Sequence, residues 1–262
     1  MRFLYVANRE IQTRKKELAI YAITIILILL VQETAQAIYS NYSGYVVTET
    51  TYASFFSGLL LIGGFILTSI VFARDMFSKE GQNEWLMLPA TSLEKFLAKA
   101  ILTAFVYPVV LILVMTAASA IIEALMLLFF RNPFAMFNPF TSEVGSLLAT
   151  YFVWQSVFLL GATVFHKAQF IKTVLSLFVL TIVMGLLGLL FARIFFPLIT
   201  GSSHFSSAFF ISIGAGRQQA SQIPGMLAYM RIGEIFYYGV LPVFCWITAY
   251  FKVEEVQATD AI

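Results

Sequence analysis

Charge is scarce in this sequence. Asp, Glu, Lys and Arg make up 11% of 262 residues, where soluble domains carry about 25%, and a soluble globular chain is thereby excluded. Cysteine is nearly absent as well. The single Cys245 lies in an apolar run, so no internal disulfide can form and the redox compartment is left open. The two histidines, His166 and His204, fall in different loops without a second histidine or a cysteine at ligand spacing, so metal chemistry has no support. No G-x-x-x-x-G-K-S/T run is present, so the chain does not hold ATP through a P-loop. H-E-x-x-H, G-x-S-x-G and paired intramembrane carboxylates at helical spacing are also missing, which removes the usual intramembrane hydrolases. No internal repeat argues for an inverted-repeat carrier, and nothing points to a nucleic-acid partner.

What is abundant is apolar surface. Hydrophobic residues reach 60% of the chain and mean hydropathy is +0.87, the composition of an integral membrane protein. The length suits a single all-α transmembrane domain over 1–262, with about six spans of roughly 20 residues each and short loops. Any energy-coupling domain is then expected on another chain.

Residues 1–17 carry Arg2, Arg9, Arg14, Lys15 and Lys16 among Phe3, Leu4, Val6 and Ile11. This pattern predicts an amphipathic elbow helix on an anionic leaflet, with a disordered basic tail as the competing reading. The first span is expected over about 18–38. Ala35-Gln36-Ala37 resembles a signal-peptide cleavage site, but the long basic region and Glu33 argue against cleavage. Spans follow at about 53–72, from Ala100 for some twenty residues with Pro108 as a kink, then at 145–165, 173–196 and 232–251. Gly58, Gly63 and Gly64 on the second span read as helix-packing positions. The segment 200–231, apolar but broken by Ser, Gly and Pro224-Gly225, predicts re-entrant helices on the outer side, or else a plain external loop. A short polar tail closes the chain from Lys252.

Under this arrangement twelve of the sixteen Lys and Arg residues fall on one side. The positive-inside rule puts that side, with both termini, in the cytoplasm. The longest charge-bearing stretch, 74–99, lies there between two apolar blocks. It keeps Trp85, Leu86, Met87 and Leu88 together beside Pro89, an apolar knot in a solvated segment. Thr91-Ser92-Leu93-Glu94 fits a capping box, so a helix is expected to begin near Ser92, with Lys95 and Lys99 on one face at the interface.

The run Glu84-Trp85-Leu86-Met87-Leu88-Pro89-Ala90-Thr91-Ser92, followed by Glu94-Lys95-Phe96-Leu97-Ala98-Lys99 before the third span, resembles the permease subunits of ABC-2 type transporters. The form is similar to permease-like proteins of Bacteroidetes, as is the aromatic end Ala249-Tyr250-Phe251-Lys252-Val253-Glu254-Glu255. The resemblance covers the whole topology and is specific in the segment before the third span. It implies an ABC-2 exporter-like bundle in which 74–99 supplies a cytoplasmic coupling helix and 200–231 the re-entrant helices before the last span. It also implies a nucleotide-binding ATPase partner that binds ATP and Mg2+, a second permease forming a homo- or heterodimer, and no cofactor in this chain.

The expected ATPase-coupling surface is Glu84, Trp85, Leu86, Leu88, Pro89, Ser92, Glu94 and Lys95, an apolar knob ringed by charge. Its competing reading is packing against the inner leaflet. Glu33, Glu123, Arg193 and Glu234 are expected near outer span ends. Such residues are functional candidates at membrane depth, and interfacial anchoring or ion pairing is the plainer reading. A membrane permease driven by an ATPase is therefore the leading expectation. A non-transporting scaffold or sensor that recruits a cytoplasmic partner is the alternative, and an ion-coupled carrier would need a midplane charge that the spans do not offer.

Overall fold

A computed structural model of the chain describes residues 20, 23–24, 26–32, 34–35, 50–77, 90–130, 136–200 and 226–259. Among the described residues the chain is helical almost throughout and contains no strand. Lipid offers no partner for backbone N–H and C=O groups, so apolar runs of this length close their hydrogen bonds within helices. Five of these helices are long and apolar enough to cross a membrane, which makes the chain a multi-pass membrane protein.

Helix α1 comprises Thr50–Gly58, a π-helical turn Leu59–Gly63 and Gly64–Phe77. Helix α2 is likewise built of Ser92–Ile101, a π-helical turn Leu102–Val106 and Tyr107–Phe130. Helices α3 (Ser142–Val164) and α4 (Gln169–Thr200) are continuous. Helix α5 consists of Met226–Ile235, a third π-helical turn Phe236–Val240 and Leu241–Thr259. The first expected span falls only partly within the described residues, where 20, 23–24, 26–32 and 34–35 are helical. The elbow at 1–17, the apolar knot at 85–88 and most of 200–231 lie outside them.

Several boundaries differ from expectation. Helix α1 continues to Phe77, so Arg74 and Asp75 belong to the helix rather than to a loop. Helix α5 begins at Met226 and runs to Thr259, taking in residues expected to be a re-entrant segment and a polar tail. Charged residues end the hydrocarbon crossing without ending the helix, because α-helical hydrogen bonding continues in the interface. Lys252 and Glu255 pair one turn apart at 2.5 Å and support that extension.

The helices alternate in direction around α3, which packs against α1, α2, α4 and α5. Two apolar clusters form as a result. At one end Val71, Phe72, Met76, Phe96, Ala100, Leu159, Ala162, Ala249 and Val253 come together, with Phe96 ringed by Phe72 and Tyr250 at 5.9 Å each. At the other end Tyr52, Phe56, Leu60, Leu111, Met115, Ile122, Phe137, Val144 and Tyr151 join Leu29 of the N-terminal stretch. Helix α4 leaves the bundle after its first two turns, where Gln169 and Thr173 are buried. From Val174 to Leu190 its apolar side chains are open on every face apart from half-buried Leu177, as in a helix surrounded by lipid.

Candidate functional site: a polar seam across the helix breaks

The beginning of α2 shows local sequence at work. The Thr91 hydroxyl accepts from the Glu94 amide at 3.3 Å, and the Glu94 carboxylate accepts from the Thr91 amide at 3.0 Å. This is the capping box expected there. Of the coupling residues within the described region, Ser92 and Glu94 are half-buried, whereas Lys95 is only 5% exposed and Lys99 only 1%. Both lysines were expected at a solvated interface. They are buried because the first turns of α2 pack into the Phe72 cluster against α1 and α5. Glu84, Trp85, Leu86, Leu88 and Pro89 lie outside the described residues.

The charges expected at the outer side separate in the same way. Arg193 is exposed and Glu234 half-buried, while Glu33 lies outside the described residues. Glu123 is not an interfacial anchor. It is 5% exposed and accepts a 2.8 Å hydrogen bond from the hydroxyl of fully buried Tyr52, which ties α1 to α2. Nearby, Phe137 of the loop before α3 inserts between Phe56, at 5.1 Å between rings, and Ser119, whose hydroxyl accepts from the Phe137 amide at 3.3 Å.

Between the two apolar clusters runs a polar seam that sequence reasoning did not find, and it is built on the π-helical turns. Pro108 has no N–H and its ring crowds the carbonyl four residues back, so α2 cannot stay regular above it. The Tyr107 amide reaches back five residues to Leu102, which leaves the Thr103 carbonyl without its α-helical donor. The Tyr151 hydroxyl of α3 supplies one at 2.7 Å. Gln155, a turn further along α3, donates to the Thr103 hydroxyl at 2.9 Å. That hydroxyl in turn donates to the Lys99 and Ala100 carbonyls at 3.0 and 3.2 Å.

The π-helical turn of α1 is held similarly. Its Leu59 carbonyl accepts from the Tyr107 hydroxyl at 2.7 Å. Gly63 and Gly64 make room for these rings: a Cβ on Gly63 would collide with the Tyr107 hydroxyl, and one on Gly64 with the Tyr151 ring. These are two of the three glycines read from sequence as packing positions. The third, Gly58, would meet nothing.

Helix α5 repeats the device. Val240-Leu241-Pro242 matches Val106-Tyr107-Pro108, and the Leu241 amide reaches back five residues to Phe236. Here Tyr237, within the turn, lies beside Trp154 of α3. One stretch of α3, from Tyr151 to Gln155, thus faces the breaks in both α2 and α5. Two polar atoms in this region have no hydrogen-bond partner among the described residues, Gln155 Oε1 and Trp246 Nε1, and both are buried. The sequence signal that could have exposed the seam is the pair of V-x-P runs, of which Pro242 went unread.

Among the described residues no three His, Cys, Asp or Glu side chains gather as a metal site. Chemically the seam offers hydroxyl and amide groups that, apart from Gln155 Oε1 and Trp246 Nε1, satisfy one another. Comparison with protein-family models, with characterised proteins and with solved structures finds no match for the chain.

Proposed function

We propose that the chain is the membrane-spanning permease subunit of an ATP-binding cassette exporter. A separate nucleotide-binding ATPase would hold ATP and Mg2+, and a second permease would pair with this one around the substrate path. The observation that carries this reading is how the segment 74–99 is joined to the bundle. Its two ends belong to α1 and α2, and the start of α2 is capped at Thr91 and buried through Phe96 and Lys99. Close-packed interiors transmit displacement with little slack, so a push on this segment enters the Phe72 cluster directly. Lys167, Lys172 and Lys252 fall at that same end, which supports a cytoplasmic assignment by the positive-inside rule.

A photo-crosslinker at Trp85, with co-purification from the native membrane, tests the proposal. Capture of a P-loop ATPase, lost in the Trp85→Ala and Leu88→Ala double variant while membrane insertion persists, is the expected result. Capture of non-ATPase proteins alone would turn the reading to a scaffold or sensor.

A further inference from the structure

The break in α2 sits at the boundary between the two apolar clusters, and the breaks in α2 and α5 both adjoin α3. A π-helical turn contains one residue more than the α-helix requires, and such turns recur where helices bend or shift register. A proline two residues past each of these two turns removes the amide that would otherwise restore α-helical bonding. The backbone bond lost in α2 is replaced by one hydroxyl, that of Tyr151, and the α5 turn rests on α3 through side-chain packing, with Tyr237 beside Trp154. Both are side-chain contacts that can be remade elsewhere.

Two orphans lie beside this layer. Among the described residues Gln155 Oε1, on α3, is an acceptor without a donor, and Trp246 Nε1, four residues past Pro242 on α5, is a donor without an acceptor. A buried polar group left unpaired is costly, and each such group asks for an explanation. The Trp246 ring lies 5.9 Å from that of Phe152, which precedes Gln155 by three residues on α3. Donor and acceptor therefore belong to neighbouring stretches of packed helices, one of which carries a break just before its orphan.

We propose that the π-helical turns with Pro108 and Pro242 form a hinge layer, about which the Phe72-end halves of α2 and α5 swing against α3, and that Gln155 Oε1 and Trp246 Nε1 pair in the swung state. The half-bundle that moves contains the start of α2. The Tyr52-end half of α2 stays fixed, held by the Tyr52–Glu123 bond and by Phe137. The hinge is a property of this chain and does not depend on the transporter reading.

The test is pulsed electron–electron distance measurement on the full chain in lipid nanodiscs, in a Cys245→Ala background. Spin labels at Lys167→Cys and Glu255→Cys report α5 against α3, and labels at Lys167→Cys and Leu93→Cys report α2 against α3. Both pairs are expected to give two distance populations, whereas a Leu128→Cys and Phe140→Cys pair at the other end gives one. Trp246→Phe, which removes the donor and keeps an aromatic ring, is expected to deplete the second population about fivefold. Pro108→Ala with Pro242→Ala is expected to leave a single population.

Hydrogen exchange gives an unlabelled check. Tyr151→Phe is expected to speed amide exchange around 102–107 about fivefold, the effect of one lost hydrogen bond. A single population for both Phe72-end pairs in the wild-type chain would overturn the hinge. Two populations indifferent to Trp246→Phe would overturn the Gln155–Trp246 pairing.

Discussion

Gly64 sets how closely α1 approaches α3, and the chemistry of its missing side chain can be measured. Gly64→Ala forces a methyl group into the Tyr151 ring, and overpacking of this kind costs about 1–3 kcal/mol. The same change at Gly185, where an added Cβ would meet nothing, is expected to stabilise the helix by up to about 1 kcal/mol. Thermal unfolding in detergent should move in opposite directions for the two variants. The Tyr52–Glu123 bond makes a second residue-scale prediction. A double-mutant cycle of Tyr52→Phe and Glu123→Leu should return a coupling of about 0.6–1.7 kcal/mol, the range of interhelical hydrogen bonds in membranes. Hydropathy made Glu123 look like an anchor because it reports how far a residue lies from a span's centre. It is silent on whether a tyrosine on the neighbouring helix reaches that residue.

At the scale of elements, the apolar runs made the spans legible, and Thr91-Ser92-Leu93-Glu94 made the start of α2 legible to the residue. Thr91→Ala removes that cap and should cost about 1 kcal/mol, read as a lower unfolding midpoint. The turn from α3 to α4 was visible only as a short basic connection. Its Ala168 adopts φ 52°, the left-handed region, which disfavours any residue with a Cβ. Ala168→Gly should therefore be neutral or stabilising by about 0.5 kcal/mol, whereas the branched side chain of Ala168→Val should cost more than about 1 kcal/mol. The π-helical turns were not legible from hydropathy, because an extra residue inside an apolar run leaves its average unchanged. Lys95 and Lys99 were misplaced for a related reason: charge marks a preference for water, and the packing of α2 against α1 and α5 overrode it.

For the whole molecule, the alternation of helix direction yields a prediction about sidedness. In closed, inside-in vesicles, a Lys167→Cys variant should react with an impermeant thiol reagent only after the membrane is opened. Phe140→Cys, 94% exposed at the opposite end, should react from outside. The opposite pattern would invert the orientation and remove the cytoplasmic assignment of the segment 74–99. The bond from Tyr151 to the Thr103 carbonyl also has a consequence in time. Helix α2 leaves the ribosome before α3 does, and until α3 arrives its broken backbone has an open carbonyl at membrane depth, where water is absent. Biogenesis of this chain therefore passes through a stage in which α2, already inserted, waits for α3. A nascent chain truncated before α3 should be retained by the insertion machinery or destroyed by quality control, and release into the bilayer should follow the synthesis of Tyr151.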